Sequence, residues 1–193
     1  MAFALELYFD PQSDRLLRAV WEELAQAGVS AVMRDGGYRP HVSLAVAAEV
    51  DADGMVAELA AFAAAGPSLS LLLSHVGIFP GAERVVYLGA VVAPELLAVH
   101  TAAYPLWCRH TRQRWTYYDP GQWIPHCTMA FLLPPERLAA AVEICLRAPL
   151  PLQAQVAQVG LVRVAVDDYE ELAVHPWGPG LVPQKDVASA AGI

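Results

Sequence analysis

The sequence predicts an α+β fold of two pseudo-symmetric lobes, each of antiparallel sheet plus helices, around a central cleft. Three observations lead to it. Strand-length segments of alternating polarity are interspersed with helical segments that carry an apolar stripe. Clusters of Pro, Gly and Asp punctuate the boundaries between them. The order of elements also runs through the chain twice, with a similar hexapeptide at matched points.

Taken in order, Ala4 to Phe9 alternates and reads as a strand. Asp10-Pro11-Gln12-Ser13-Asp14 offers a turn and a helix cap. Arg15 to Ala27 is then an amphipathic helix, with Leu16, Leu17, Val20 and Leu24 on one stripe and Gly28 as its stop. Asp35-Gly36-Gly37 is a loop, and His41 to Val46 is a second strand. Asp51 to Ala65 is an alanine-rich helix halted by Gly66-Pro67. Leu69 to Phe79 and Arg84 to Val92 are strands joined by the hairpin turn Pro80-Gly81-Ala82-Glu83. Pro94 opens a helix through Trp107, and a polar loop containing Asp119-Pro120-Gly121 follows it. His126 to Leu132 is a strand, and Pro135 to Arg147 is a helix stopped by Pro149 and Pro151. Gln153 to Val166 and Glu170 to His175 form a strand pair around Asp167-Asp168, which suit a turn better than an acid–base pair.

The two hexapeptides are Arg39-Pro40-His41-Val42-Ser43-Leu44 and Ile124-Pro125-His126-Cys127-Thr128-Met129. Each is preceded by helix and loop, and followed by a helix and then by a strand containing a glycine. The glycine is Gly77 in one copy (41 to 77, 36 residues) and Gly160 in the other (126 to 160, 34 residues). The reading is one bilobal domain over residues 1–177, built from duplicated halves at about 2–89 and 85–177. Residues 178–193, rich in Gly, Pro and Ala, read as a loosely ordered tail.

Composition narrows the function classes. Hydrophobic residues make up 56% of the 193, ample for a packed core. The net charge is −8, which argues against an extended nucleic-acid surface, since such surfaces neutralise many phosphates with Lys and Arg. Any phosphate contact is expected to be local: a small molecule, or one terminal nucleotide. No apolar run reaches the length of a membrane helix, and MAFALELYFDPQ meets Glu6 without a basic flank, unlike a secretory signal. A soluble, cytoplasmic protein is the expectation. Cys108, Cys127 and Cys145 form neither a paired framework nor a metal spacing, so reduced thiols and no metal or cofactor are expected. Oligomeric state is not legible.

In a strand, residues i and i+2 share a face. His41 and Ser43 therefore point one way, opposite Val42, Leu44 and Val46; His126 and Thr128 point one way, opposite Cys127, Met129 and Phe131. Each imidazole stands about 7 Å from its hydroxyl at the backbone, so both can lean onto one phosphate-sized group. Two such pairs suit phosphodiester cleavage. Histidine titrates near neutral pH, so one neutral ring can take a proton while one charged ring gives one. Ser43 and Thr128 can donate to the nonbridging oxygens without adding negative charge.

The repeated Pro-His-x-(Ser/Thr)-apolar motif resembles the two-histidine (2H) phosphoesterase superfamily, which includes 2′-5′ RNA ligases and 2′,3′-cyclic phosphodiesterases. The resemblance spans about residues 2–177. Val76-Gly77-Ile78-Phe79-Pro80 followed by Val86-Tyr87-Leu88-Gly89 is similar to the family's hairpin after the first motif. It implies an open cleft, catalytic roles for His41, Ser43, His126 and Thr128, and hydrolysis of a cyclic phosphodiester or 2′-5′ ligation at the same site. A non-catalytic nucleotide or RNA-end binder is the other class. The first motif has Ser43 where threonine is commoner, which keeps the hydroxyl. In the working mechanism His126 is base and His41 acid, an order the motif alone leaves open.

Further residues stand near the motifs. Arg39 alternates with His41, placing its guanidinium in reach of a phosphate or at an exposed strand end. Tyr118 and Trp123, in an aromatic-rich loop, suit base stacking or packing; Trp115 reads as core. His75, two residues before Gly77, faces the cleft or is merely structural. The 109–114 cluster, with Arg109, Arg112 and Arg114, either steers an anion or is a solvated helix end.

Overall fold

A computed structural model describes residues 1–165 and 168–178. Asp167 and the tail from 179 onward, both assigned in the sequence analysis, lie outside the described residues. In chain order the elements are β1 (Ala2–Phe9), α1 (Pro11–Gln26), α2 (Val32–Asp35), β2 (His41–Val50), α3 (Ala52–Ala64), β3 (Ser70–Phe79), β4 (Val85–Ala90), α4 (Pro94–His110), β5 (Thr111–Arg114), β6 (His126–Ala130), α5 (Leu138–Cys145), β7 (Leu152–Ala165) and β8 (Asp168–Pro176). The fold class is α+β with antiparallel pairing, as the alternation predicts.

Local chemistry explains the helices. Asp10 caps α1: its Oδ1 accepts from the backbone N–H of Gln12 (2.9 Å) and Ser13 (3.1 Å). The helix therefore starts at Pro11, earlier than predicted. Its buried stripe is Leu17, Val20, Trp21 and Leu24, an i, i+3, i+4, i+7 set in which Trp21 takes the place predicted for Leu16. Asp51 caps α3, which buries Met55, Leu59 and Ala63. The helix α4 runs past the predicted end at Trp107 to His110, where the Thr111 hydroxyl donates to the Trp107 carbonyl at 2.6 Å. No helix among the described residues is long and apolar enough to cross a membrane.

The strands follow the order β5-β2-β1-β7-β3-β4-β6, with β8 also on β7. Two half-sheets meet in β7. Its first residues, Leu152–Gln155, pair with β3, and the rest pair with β1 and β8. The sheet curls so that β2 and β6, near its two ends, lie against one another. Strand provenance is crossed. One half-sheet takes β1 and β2 from the first half of the chain and β5, β7 and β8 from the second; the other takes β3 from the first, β4 from where the two halves meet, and β6 from the second. Each glycine strand has thus crossed to the motif strand of the other half. Gly160 lies in the same row as Ser43, and Gly77 in the same row as Thr128.

Candidate active site

The alternation within β2 and β6 sorts the motif residues. Val42, Leu44, Cys127 and Met129 are buried, while His41, Ser43, His126 and Thr128 are half-buried on the opposite faces. Two indoles pin the backbones. Trp123 Nε1–H donates to the Ser43 carbonyl at 2.9 Å, and Trp21 Nε1–H donates to the Thr128 carbonyl at 3.2 Å. Each motif is thus braced from behind by a tryptophan, Trp21 from α1 and Trp123 from the loop before β6.

The two imidazoles are oriented alike. His41 Nδ1 lies 2.7 Å from the Arg39 carbonyl, and His126 Nδ1 lies 2.7 Å from the Ile124 carbonyl. A carbonyl only accepts, so Nδ1 carries the hydrogen in both rings. That leaves Nε2 as the atom that gains or loses a proton. The strands that carry the two rings, β2 and β6, lie against one another.

Their neighbours differ. Two registered rows correspond: Ser43–Glu6–Gly160 in one half-sheet and Thr128–Tyr87–Gly77 in the other. The position beside the hydroxyl residue is a carboxylate in the first and an aromatic in the second. Glu6 Oε1 lies 3.3 Å from His41 Nε2, with the glutamate side chain 2% exposed and the histidine 12%. Burial raises the Glu6 carboxyl; the His41 ring and the hydroxyls of Tyr169 and Tyr8 pull it back down. Tyr169 donates to Glu6 Oε2 at 3.0 Å. His126 instead sits against Phe79, edge-on with ring centroids 4.9 Å apart, and Tyr87 at 5.1 Å. Burial pushes its ring down to about 4, with the His41 charge adding to the effect and the Ile124 carbonyl opposing it.

The remaining predicted residues divide. Tyr118 joins the site: its hydroxyl bonds the Ser43 side chain, and burial with the nearby Glu6 pushes its phenol up to about 12. Arg39 flanks the site but is engaged. Its guanidinium pairs with Glu171 at 2.9 Å, bonds Gln158, and stacks over the Tyr8 ring at 4.0 Å. Trp123 does not offer an open stacking face. It is 9% exposed and lies flat on the buried His100 at 4.1 Å, because its N–H is drawn back to Ser43. Trp115, expected in the core, is 45% exposed beside the exposed Tyr117. The ring of His75 lies over Gly89, in the row that ends at His126.

The basic cluster lies elsewhere. Arg112 in β5 pairs with Glu49, eight residues along β2 from His41 and roughly 27 Å away along the strand. Arg109 and His110 are bound to Glu58. Sequence reasoning missed Glu6, Tyr8, Tyr87 and Tyr169. The one available signal for Glu6 was a lone acid inside an otherwise apolar strand. Among the described residues, no group of three or more His, Cys, Asp and Glu side chains is placed to hold a metal ion.

A curled antiparallel sheet that turns two His-x-hydroxyl strands toward each other defines a two-histidine phosphoesterase fold. A profile of the 2′-5′ RNA ligase superfamily matches residues 9–168, and the chain belongs to that superfamily. No curated protein matches it in sequence. Among solved structures, TT0787 of Thermus thermophilus is similar with a TM-score of 0.61 at 16% identity, covering 92% of this chain and 98% of that one. Apo LigT of E. coli is similar with a TM-score of 0.58 at 17% identity, covering 91% and 96%. LigT complexed with 3′-AMP has a TM-score of 0.55 at 16% identity, covering 91% and 96%.

Proposed function

We propose that this protein is a metal-independent phosphoesterase that opens a 2′,3′-cyclic phosphate, or a related cyclic phosphodiester, on a nucleotide or RNA end. The observation that carries the reading is the matched orientation of His41 and His126. Both rings spend Nδ1–H on a carbonyl two residues back and keep Nε2 for chemistry. In the reaction His126 takes a proton from water as its oxygen bonds to phosphorus. The bond from phosphorus to one ribose oxygen breaks, and His41 protonates that oxygen. Ser43 and Thr128 hold the nonbridging oxygens. A phosphomonoester and a free ribose hydroxyl result. The nucleotide bound by LigT, and the net charge of −8 here, favour a small or terminal substrate over extended RNA.

The test is a panel of 2′,3′-cyclic nucleotides, cyclic-phosphate-ended RNAs and 2′-5′-linked RNAs, incubated with chelator present and resolved by product analysis. Hydrolysis is expected, with His41→Ala and His126→Ala each lowering kcat by about 10²–10⁴-fold. Full activity in both variants sinks the mechanism. Joining of RNA ends without cyclic-phosphate hydrolysis replaces it with ligation.

A further inference from the structure

The two rings share a tether and differ in what meets Nε2. At His41 it is the carboxylate of Glu6, 3.3 Å away. No carboxylate among the described residues reaches His126, whose neighbours are Phe79, Tyr87 and the His41 charge. We propose that Glu6 is a positioning residue that keeps the reaction's proton on His41, making His41 the acid and leaving His126 as the base. This deepens the phosphoesterase reading and rests on it.

The geometry around Glu6 is built for that task. An isolated buried carboxylate is costly, and it persists only where donors converge on it. Tyr169 gives its hydroxyl hydrogen to Glu6 Oε2, and its 2.8 Å contact with the Tyr8 hydroxyl joins Tyr8 to the same cluster. Tyr169 meets Oε2 and His41 meets Oε1. Because Nδ1 of His41 is committed to the Arg39 carbonyl, the Nε2···Oε1 contact holds a single transferable proton.

The other charged and titratable groups around this contact do not cancel it. On β8, Tyr169 serves Glu6 and Glu171 is paired with Arg39. On β1, the Tyr8 ring carries the Arg39 guanidinium on its face. Tyr118, in the turn after β5, bonds Ser43 and stays neutral. On β6, burial keeps the Cys127 thiol neutral, pushed up to about 12, and His126 is the partner base. In the opposite half-sheet the place of Glu6 is taken by Tyr87, which gives His126 bulk and no charge. The asymmetry of the reaction is therefore set in the row beside the hydroxyls, outside the two motifs.

The experiment is a ¹⁵N NMR titration of the imidazoles in the full chain, wild type and Glu6→Gln, run beside the pH dependence of kcat on whichever diester the wild type turns over. In the wild type, the ring proton is expected on His41 rather than on His126, because only His41 has a carboxylate beside Nε2. Glu6→Gln keeps the shape and the acceptor for Tyr169. It is expected to lower the His41 midpoint by about one unit or more, to move His126 far less, and to cut kcat about tenfold at pH 8 with a smaller loss at pH 6. A ring order with His126 protonated above His41, or no movement of His41 in Glu6→Gln, overturns the role of Glu6. The wild-type order decides this even where Glu6→Gln fails to fold. Normal turnover with an inverted ring order overturns Glu6 alone. Absence of turnover with the ring order intact overturns the hydrolase reading and the acid assignment with it.

Discussion

The aromatic pocket of His126 makes a quantitative prediction. Phe79 meets the ring edge-on at 4.9 Å, Tyr87 at 5.1 Å, and the two aromatics stack at 4.4 Å. They strip water from an imidazole whose titration falls from an ordinary 6.5 to about 4. A depression of about 2.5 units is worth roughly 3 kcal/mol against the charged ring. A base must be neutral to act, so the acid limb of kcat/KM is expected near pH 4. At pH 5.5 the ring is then neutral in about 97% of molecules, against about 9% for an ordinary imidazole, a tenfold difference in rate. Phe79→Ala lets water reach the ring. A rise of the limb by about 1.5 units costs about fourfold at pH 5, and the loss shrinks toward pH 7.5. The assay is kcat/KM on a cyclic nucleotide from pH 4 to 8 at constant ionic strength. A wild-type half-maximum near pH 6.5, or a limb that Phe79→Ala does not move, refutes the reasoning. The sign for folding follows. Between about pH 4 and 6.5 the unfolded chain binds a proton that the folded ring refuses, so stability falls as pH drops through that window, by up to roughly 3 kcal/mol.

Two other outcomes are expected. A Cβ at Gly160 would lie 2.7 Å from Cε2 and 2.9 Å from the hydroxyl of Tyr8, a ring held by Arg39 and Tyr169; Gly160→Ala should therefore cost about 1–3 kcal/mol in urea unfolding, and an unchanged midpoint would show that Tyr8 is free to move. Burial holds the thiols of Cys127 and Cys145 up at about 12, whereas Cys108 is part-exposed; a colorimetric thiol reagent at pH 8 should label one cysteine in the native protein and three after denaturation, and three fast reactions would contradict the burial.

Local signals in the chain carried most elements. Alternation marked the motif strands, and Asp10 and Asp51 marked helix starts that their side chains do cap. The short β5 escaped notice because Thr111–Arg114 is charged, four residues long and at the sheet edge, with no apolar face to show a period. Trp115, read as core, is exposed, and Trp123, read as stacking or packing, is packed, for a reason outside their loop. Burial of Trp123 depends on His100 in α4 and on the Ser43 carbonyl, neither of which local sequence reveals. Glu6 looked like the polar interruption of an apolar segment. It became the partner of His41 because β1 pairs with β2, setting Glu6 opposite Ser43, and it gains a donor from Tyr169, 163 residues away.

The crossed provenance of the strands bears on how the site keeps its geometry. Were each half of the chain to form its own lobe, the separation of the two imidazoles would depend on how the lobes docked. Here β7 instead runs unbroken through both half-sheets, pairing with β3 at Leu152–Gln155 and with β1 from Val156 onward. Its 14 residues span roughly 45 Å, and the register shift opposite Tyr8 and Phe9 falls where the strand passes from one half-sheet to the other. A continuous hydrogen-bonded strand is a stiffer link than a loop, so the angle between the half-sheets, and with it the approach of β2 to β6, is fixed by pairing rather than by a hinge. The two indoles add a second constraint, since each ties a motif carbonyl to an element outside its own strand. A site that separates proton donor from acceptor by a fixed distance needs such a frame, because acid–base transfer tolerates errors of only a few tenths of an ångström.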